Sequence, residues 1–245
     1  MNVWITGAST GIGAALAKRY ASDGHTVFIS ARSADKLQAL ATETKSLAGV
    51  IKSFPCDVTD NESVLSAVKD IEANGTIDLA IMNAGYYEPI ELEELNLEHF
   101  LNTYDVNLFG VVRCLLAVLP GMRDAASGQI AIVSSVSGYT GLPRAAAYGS
   151  SKAALINLAE SLQPECKARG IDVRLINPGF VKSPLTDKNN FKMPFIVEAE
   201  YAADKIVDGL AGGKFEIHFP KRFTFLLKLL RSLPYVFYLK VTARL

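Results

Sequence analysis

Short apolar runs alternate with longer amphipathic stretches along almost the whole chain. Runs at 3–5, 27–29, 50–54, 77–82, 130–133, 173–176 and 215–219 predict strands, and helical periodicity over 11–22, 35–47, 62–72, 103–122, 145–168 and 199–210 predicts the helices between them. The strand runs carry no polar face, as central parallel strands covered by helices on both sides require. Regular strand–helix alternation then implies an open parallel sheet wound in both directions. Gly24, Gly49, Gly75, Gly128 and Gly170 each stand just ahead of a strand, where a chain reversal belongs. No repeat, low-complexity tract or linker interrupts the pattern. The expectation is an α/β, doubly wound sheet of about seven strands in one domain over 1–220, followed by a tail over 221–245.

The tail departs from that pattern. Over 221–233, Phe223, Leu226, Leu227, Leu229, Leu230 and Leu233 fall on one side of a helix, with Lys221, Thr224, Lys228, Arg231 and Ser232 opposite. After Gly213 the chain has seven basic residues against one acid, Glu216, although Lys+Arg and Asp+Glu balance at 25 each overall. An apolar face backed by bases suits an interface with anionic lipid. The same pattern suits a helix laid over a pocket or against another subunit, and these readings stay open.

At 245 residues, 49% hydrophobic and 20% charged, the chain can bury a core, which excludes a disordered protein. Zero net charge offers no field for nucleic acid, so none is expected as a partner. Cys56, Cys114 and Cys166 are odd in number and far apart, as unpaired thiols of a reducing compartment are. His25, His99 and His218 are equally scattered, so no metal site is expected. The first strand leaves no room for a leader, and no apolar run of about 18 residues is free of charge. A cytoplasmic protein is expected, peripheral to a membrane if the tail binds lipid.

Two constellations carry chemistry. The first, Thr6-Gly7-Ala8-Ser9-Thr10-Gly11-Ile12-Gly13, lies between the first strand and the first helix. Glycines there allow a tight turn and close approach of a pyrophosphate, and the helix start offers free N–H groups. That placement points to a dinucleotide. No acid ends the second strand to hold a free 2′-hydroxyl; Arg32 follows it, with Ser30 and Ser33 alongside, which favours the 2′-phosphate of NADP(H) over NAD(H). A solvated loop arginine is the plain alternative. The second constellation is Ser134-Ser135 at the end of the fifth strand, with Tyr148 and Lys152 one turn apart on the following helix. A phenol with a reference pKa of ~10 is a poor acid or base at neutrality, and an ammonium beside it favours the phenolate. Alone, such a tyrosine–lysine pair is a common surface coincidence.

Together these residues resemble the short-chain dehydrogenase/reductase family over about 2–219, which implies a Rossmann fold. TGASTGIG resembles the family's cofactor loop, in which Gly7, Ser9, Thr10, Gly11, Ile12 and Gly13 would contact the cofactor. Asp57 and Val58 look like its adenine contact, and Met82-Asn83-Ala84-Gly85 is similar to its NNAG motif with Met82 in the first asparagine's place. Asn177-Pro178-Gly179 matches its PG motif, adding Pro178, Gly179 and Val181 to the cofactor set. By the same resemblance Tyr148 is the general acid/base, Ser135 positions the substrate oxygen, and Lys152 holds the nicotinamide ribose. Asn107 would hold a water in a proton relay. Thr10 stands where many NADP-using members have a base, so Arg32 carries the case for the phosphate.

The implied activity is hydride transfer between NADP(H) and a carbonyl or alcohol. Tyr86, Tyr87, Tyr139, Leu142 and Pro143 are expected to border the substrate, with 180–194 as a lid, which suggests a small hydrophobic substrate. A nonenzymatic NADP-binding sensor or scaffold is the alternative, although a sensor has no use for a proton relay. Isomerisation or dehydration of a nucleotide sugar would need a larger substrate region. The resemblance also implies a homodimer or homotetramer joined through the helices around Asn107 and Tyr148.

Overall fold

A computed structural model describes residues 1–243; Arg244, counted in the tail's charge, and position 245 lie outside the described residues. The elements are β1 (Asn2–Thr6), α1 (Gly11–Ser22), β2 (Thr26–Ser30), α2 (Ala34–Glu43), β3 (Val50–Ser53), α3 (Asn61–Glu72) and β4 (Leu79–Met82). There follow α4 (Leu97–Tyr104), α5 (Gly110–Asp124), β5 (Gly128–Val133), α6 (Ala146–Lys167), β6 (Ile171–Pro178), α7 (Ala199–Ala211), β7 (Glu216–Phe219), α8 (Lys221–Ser232) and α9 (Tyr235–Thr242). All seven strands are parallel in the order β3-β2-β1-β4-β5-β6-β7.

Successive strand side chains point to opposite faces, and each face has its own core. Val3, Ile5, Val27 and Ile29 meet Leu16, Tyr20 and Leu37 of α1 and α2 and Ile206 of α7. Trp4, Phe28, Ile130 and Val173 meet Val64 and Ile71 of α3, Cys114 and Val118 of α5, and Leu155 of α6. The sheet order reverses between β1 and β4, and it is outside the carboxyl ends at such a reversal that open α/β sheets bind ligands.

Two helices differ from their expected bounds by more than one residue. The second stops at Glu43 rather than 47, because Thr44 turns its hydroxyl back onto the Leu40 carbonyl at 2.7 Å and the chain must turn toward Gly49. The helix expected from 103 starts at Leu97, where the Asn96 side chain accepts from His99 N at 2.9 Å and caps it. A π turn over Asp105–Phe109 then joins α4 to α5. The 28-residue run Leu97–Asp124 is long and apolar enough to cross a membrane by length and composition. Its α5 half nevertheless buries Val111, Cys114, Leu115, Val118 and Met122 in the protein.

The tail folds back on the body, and its expected sidedness is corrected. Phe223, Leu227, Leu230 and Tyr238 are buried with Val136 and Tyr139. Thr224, expected on the solvated face, is fully buried and hydrogen-bonded with His218 at 2.6 Å. Lys228 pairs with Glu216 and stands over the Tyr139 ring, and Arg231 donates to the Tyr139 carbonyl. Leu226 and Leu229, placed on the same side as Phe223, Leu227 and Leu230, are instead 58% and 63% exposed. Burial pushes the Glu216 carboxyl up, but hydrogen bonds from Lys228, Tyr139 and Asn177 outweigh it and hold the group below its usual range.

Candidate active site

A cavity of about 1090 Å³ lies along the carboxyl ends of the strands. Its walls include Gly7, Ser9, Thr10, Gly11 and Ile12 after β1, Arg32 after β2, and Asp57 and Val58 after β3. Asn83, Ala84 and Gly85 follow β4, and Pro178, Gly179 and Val181 close the far side. All the expected cofactor residues are thus gathered around one space, except Gly13, which is buried behind it.

The glycine loop is shaped for close approach. Gly7 sits at φ +65°, and a Cβ there would come within 2.7 Å of Ala84 Cα. At Gly13 a Cβ would fall 2.5 Å from the Gly7 carbonyl oxygen, so this glycine lets α1 pack against the loop rather than touching a ligand. Thr10, at the start of α1, makes no side-chain cap, so first-turn N–H groups stay open to an anion. The Asn83 amide donates to the carbonyls of Thr6 and Gly7 at 3.0 and 3.2 Å, and Thr6 Oγ1 accepts from Asn83 N and Ala84 N. Asn83 therefore ties β4 to β1 with its donors and is spent as a donor to any ligand.

After β2, Arg32 is exposed, with Ser33 beside it on the cavity wall. Ser30 does not belong to this group. It is 1% exposed, and its hydroxyl accepts from Trp4 Nε1 at 2.9 Å inside the sheet. Asp57 lines the cavity while its Oδ1 accepts from the Thr59 backbone and hydroxyl at 3.0 and 2.8 Å.

Tyr148 and Lys152 project from α6 onto the same wall as Ser135. Lys152 is 3% exposed, donates to the Val133 carbonyl at 3.0 Å, and places Nζ 5.7 Å from the centre of the Tyr148 ring. Burial lowers its pKa to about 8. Burial pushes the Tyr148 phenol up to about 12, with the nearby Ser135 hydroxyl acting against that. Ser135 also accepts from Ser137 N at 3.1 Å, which holds its hydroxyl at the tip of β5. Ser134 serves the frame, donating to the Lys152 carbonyl at 2.7 Å.

Asn107 is fully buried in the π turn, a helix irregularity frequent at functional sites. Its Nδ2 donates to the Tyr86 carbonyl and Ser151 Oγ at 2.9 and 3.1 Å, and Oδ1 accepts from Tyr86 N at 2.7 Å. Both amide donors are thus committed, and a water beside Lys152 would have to be held by the Asn107 main chain.

On the substrate side Tyr86, Tyr87, Leu142 and Pro143 line the cavity as expected, and so does most of 180–194. Tyr139 does not. It is buried under the tail with its hydroxyl on Glu216, because that carboxylate, seventy-seven residues away in sequence, gives the phenol its partner. The contacts of Tyr87 and the part played by Ser151 escaped the sequence, whereas a helix of the tail beside the cavity is one of the readings it left open. Tyr87 packs edge-on against Tyr148 at 5.0 Å and donates to Asn189 at 2.8 Å. Ser151 supports Asn107. Phe223, Leu226, Leu227 and Leu230 of α8 supply a further apolar wall. Only the apolar stripe of the tail signalled the last.

The residues fit a dinucleotide cofactor: the Gly7 cradle admits no Cβ, the α1 N-terminus is open, and Lys152 has donor protons to spare at the cavity wall. Among the described residues no group of three His, Cys, Asp or Glu side chains comes together as a metal site.

The profile described as short chain dehydrogenase matches residues 1–194. An "Uncharacterized oxidoreductase" of Myxococcus xanthus is 36% identical over 231 residues, covering 94% of this chain and 91% of its own. Among solved structures, an alcohol dehydrogenase from the archaeon Thermococcus sibiricus, complexed with 5-hydroxy-NADP, is similar at a TM-score of 0.81 and 28% identity. The match covers 89% of this chain and 95% of that one. A short-chain dehydrogenase from Sphingobium yanoikuyae in complex with NADPH has a TM-score of 0.83, covering 95% and 96% of the two chains; at 24% identity it bears on the fold alone.

Proposed function

The chain belongs to the short chain dehydrogenase family, and within that family of oxidoreductases we propose that it transfers hydride between NADP(H) and a small apolar carbonyl or alcohol. The observation that carries this reading is Tyr148, with Lys152 Nζ 5.7 Å from its ring centre and Ser135 on the same wall of the cavity that the glycine loop enters.

The cofactor, when bound, supplies the hydride chemistry. Tyr148 gives its phenolic proton to the carbonyl oxygen in reduction and takes it back in oxidation. Ser135 Oγ orients that oxygen. Lys152 holds the ribose and, as an ammonium, lowers the cost of the phenolate left on Tyr148. Asn107 fixes the Tyr86 backbone and the α6 turn beside Lys152, and with its main chain completes a proton path to solvent. Leu142, Pro143, Phe180 and the α8 leucines exclude water and favour an apolar substrate. Three free, buried cysteines suit a reducing, cytoplasmic setting.

Following reduced-cofactor absorbance against a panel of apolar ketones, aldehydes and alcohols tests the reaction class. Tight NADPH binding with no turnover across the panel would favour the sensor reading instead. Cofactor choice has its own expected result. The wild type should bind NADPH more tightly than NADH, and Arg32→Ala should erode that preference by roughly 10–150-fold, the equivalent of one charge-assisted hydrogen bond. Dissociation constants favouring NADH in the wild type would overturn the phosphate assignment. Leu97, Leu101, Phe109 and Leu116 of the α4–α5 run are 72%, 60%, 51% and 62% exposed, and they form the subunit contact we propose for a homodimer or homotetramer.

A further inference from the structure

Helices α8 and α9 turn a second apolar surface outward. Phe225 and Leu229 on α8 are 62% and 63% exposed, and Tyr235, Val236, Phe237 and Leu239 on α9 are 59–81% exposed. Exposed apolar groups gathered in this density on one short segment mark a contact surface rather than ordinary scatter. Lys228 and Arg231 are spent on the body, which leaves Lys221, Arg222 and Lys240 exposed beside this surface. None of these three is ion-paired with another described residue, and no acidic residue follows Glu216 in the chain. Two residues belong both to this surface and to the cavity: Leu226 and Val241 are 58% and 44% exposed and also line the space that holds Tyr148.

We propose that the α8–α9 surface docks on an anionic lipid bilayer, with the mouth of the cavity at the lipid interface, so that the substrate is an apolar carbonyl or alcohol taken from the membrane. Charge selects the occupant. Helices with unpaired bases and no acid of their own complement anionic headgroups, whereas in a second copy of these helices the bases would meet bases. Aromatic and aliphatic side chains on a short interfacial helix enter the headgroup–acyl boundary without spanning it. The part of the cavity wall at Leu226 and Val241 then faces the phase in which an apolar substrate is concentrated. Docking stands without the catalytic reading, whereas delivery of substrate rests on it.

Sedimentation with phosphatidylcholine vesicles, with and without phosphatidylglycerol, tests docking independently of turnover. The full chain should sediment with the anionic vesicles and be released by salt, because attraction between exposed charges is screened beyond ~10 Å at 0.1 M. Lys221→Glu with Arg222→Glu should weaken binding by at least about five-fold for each base lost. Leu229→Glu with Phe237→Glu should abolish binding while leaving circular dichroism and thermal unfolding unchanged, since both side chains are exposed and neither lines the cavity. Failure of the wild type to sediment, or binding retained in the Leu229→Glu, Phe237→Glu protein, would overturn the proposal. So would a drop in oligomer size in that variant on size exclusion, which would assign the face to a second copy of the chain.

Discussion

Tyr148→Phe should bind NADPH with near-normal affinity and turn over at least ~10²–10⁴-fold more slowly, the loss typical of a removed general acid/base. Phenylalanine keeps the ring that packs edge-on against Tyr87 at 5.0 Å, so the wall of the cavity stays in place. What disappears is one hydroxyl, on the same cavity wall as Ser135 and held as a neutral phenol by burial. A neutral phenol is the form that donates a proton to a developing alkoxide, so carbonyl reduction should lose the most. Ser135→Ala leaves the proton donor in place and removes only the orienting hydroxyl, so its loss should be smaller and shared between kcat and KM. Stopped-flow single turnover alongside NADPH titration separates the two effects. Near-normal turnover in Tyr148→Phe would remove this residue from the chemistry, and unchanged function in both variants would return the chain to the sensor reading.

Much of this was legible because the relevant constraints are local. Strands such as Val3–Trp4–Ile5 are apolar on both faces, and only a sheet covered on both faces accepts that pattern, which the two cores around Val3 and Trp4 now display. The Tyr148–Lys152 pair was visible because one helical turn fixes their proximity. The missing parts depend on distant partners. Leu97–Tyr104 carries Glu98 and an exposed Leu97 and Leu101, so its weak burial hid the start of the helix until Asn96 was seen as the cap. A π turn adds one residue to one turn, and hydrophobic periodicity over the neighbouring turns does not register it. The direction of the tail's polar side chains was hidden for a related reason. A helical wheel sorts side chains by polarity, but Lys228 and Arg231 face inward because Glu216 and the Tyr139 carbonyl wait for them. Polar side chains point toward a body that satisfies them, and sequence alone does not reveal which body that is.

Lys152→Met should lower kcat/KM for carbonyl reduction by roughly 10²–10³-fold, the scale for removing one preorganised charge or donor from a water-poor site. The pH profile makes the loss diagnostic. Tyr148, at about 12, remains a phenol throughout the workable range, so its own ionisation does not limit reduction. Lys152, at about 8, does titrate there. In the wild type kcat/KM should therefore fall as pH rises through about 8, because the ammonium that stabilises the developing phenolate is lost; in Lys152→Met that limb should vanish, leaving a low, flat profile. Stability should move the other way. Burial holds the folded-state pKa of Lys152 below its ordinary 10.5, so below about pH 8 the charged amine destabilises the fold in full, and the penalty fades as pH rises toward 10.5. Methionine, of similar length and uncharged, removes it. At pH 7 the variant should gain about 1–3 kcal/mol in denaturant unfolding, less whatever the bond to the Val133 carbonyl contributed. A residue present for the fold would lose stability with activity, whereas one kept for chemistry at the fold's expense trades one for the other. If Lys152→Met is both slower and less stable, or keeps the limb near pH 8, the assigned role of this amine fails.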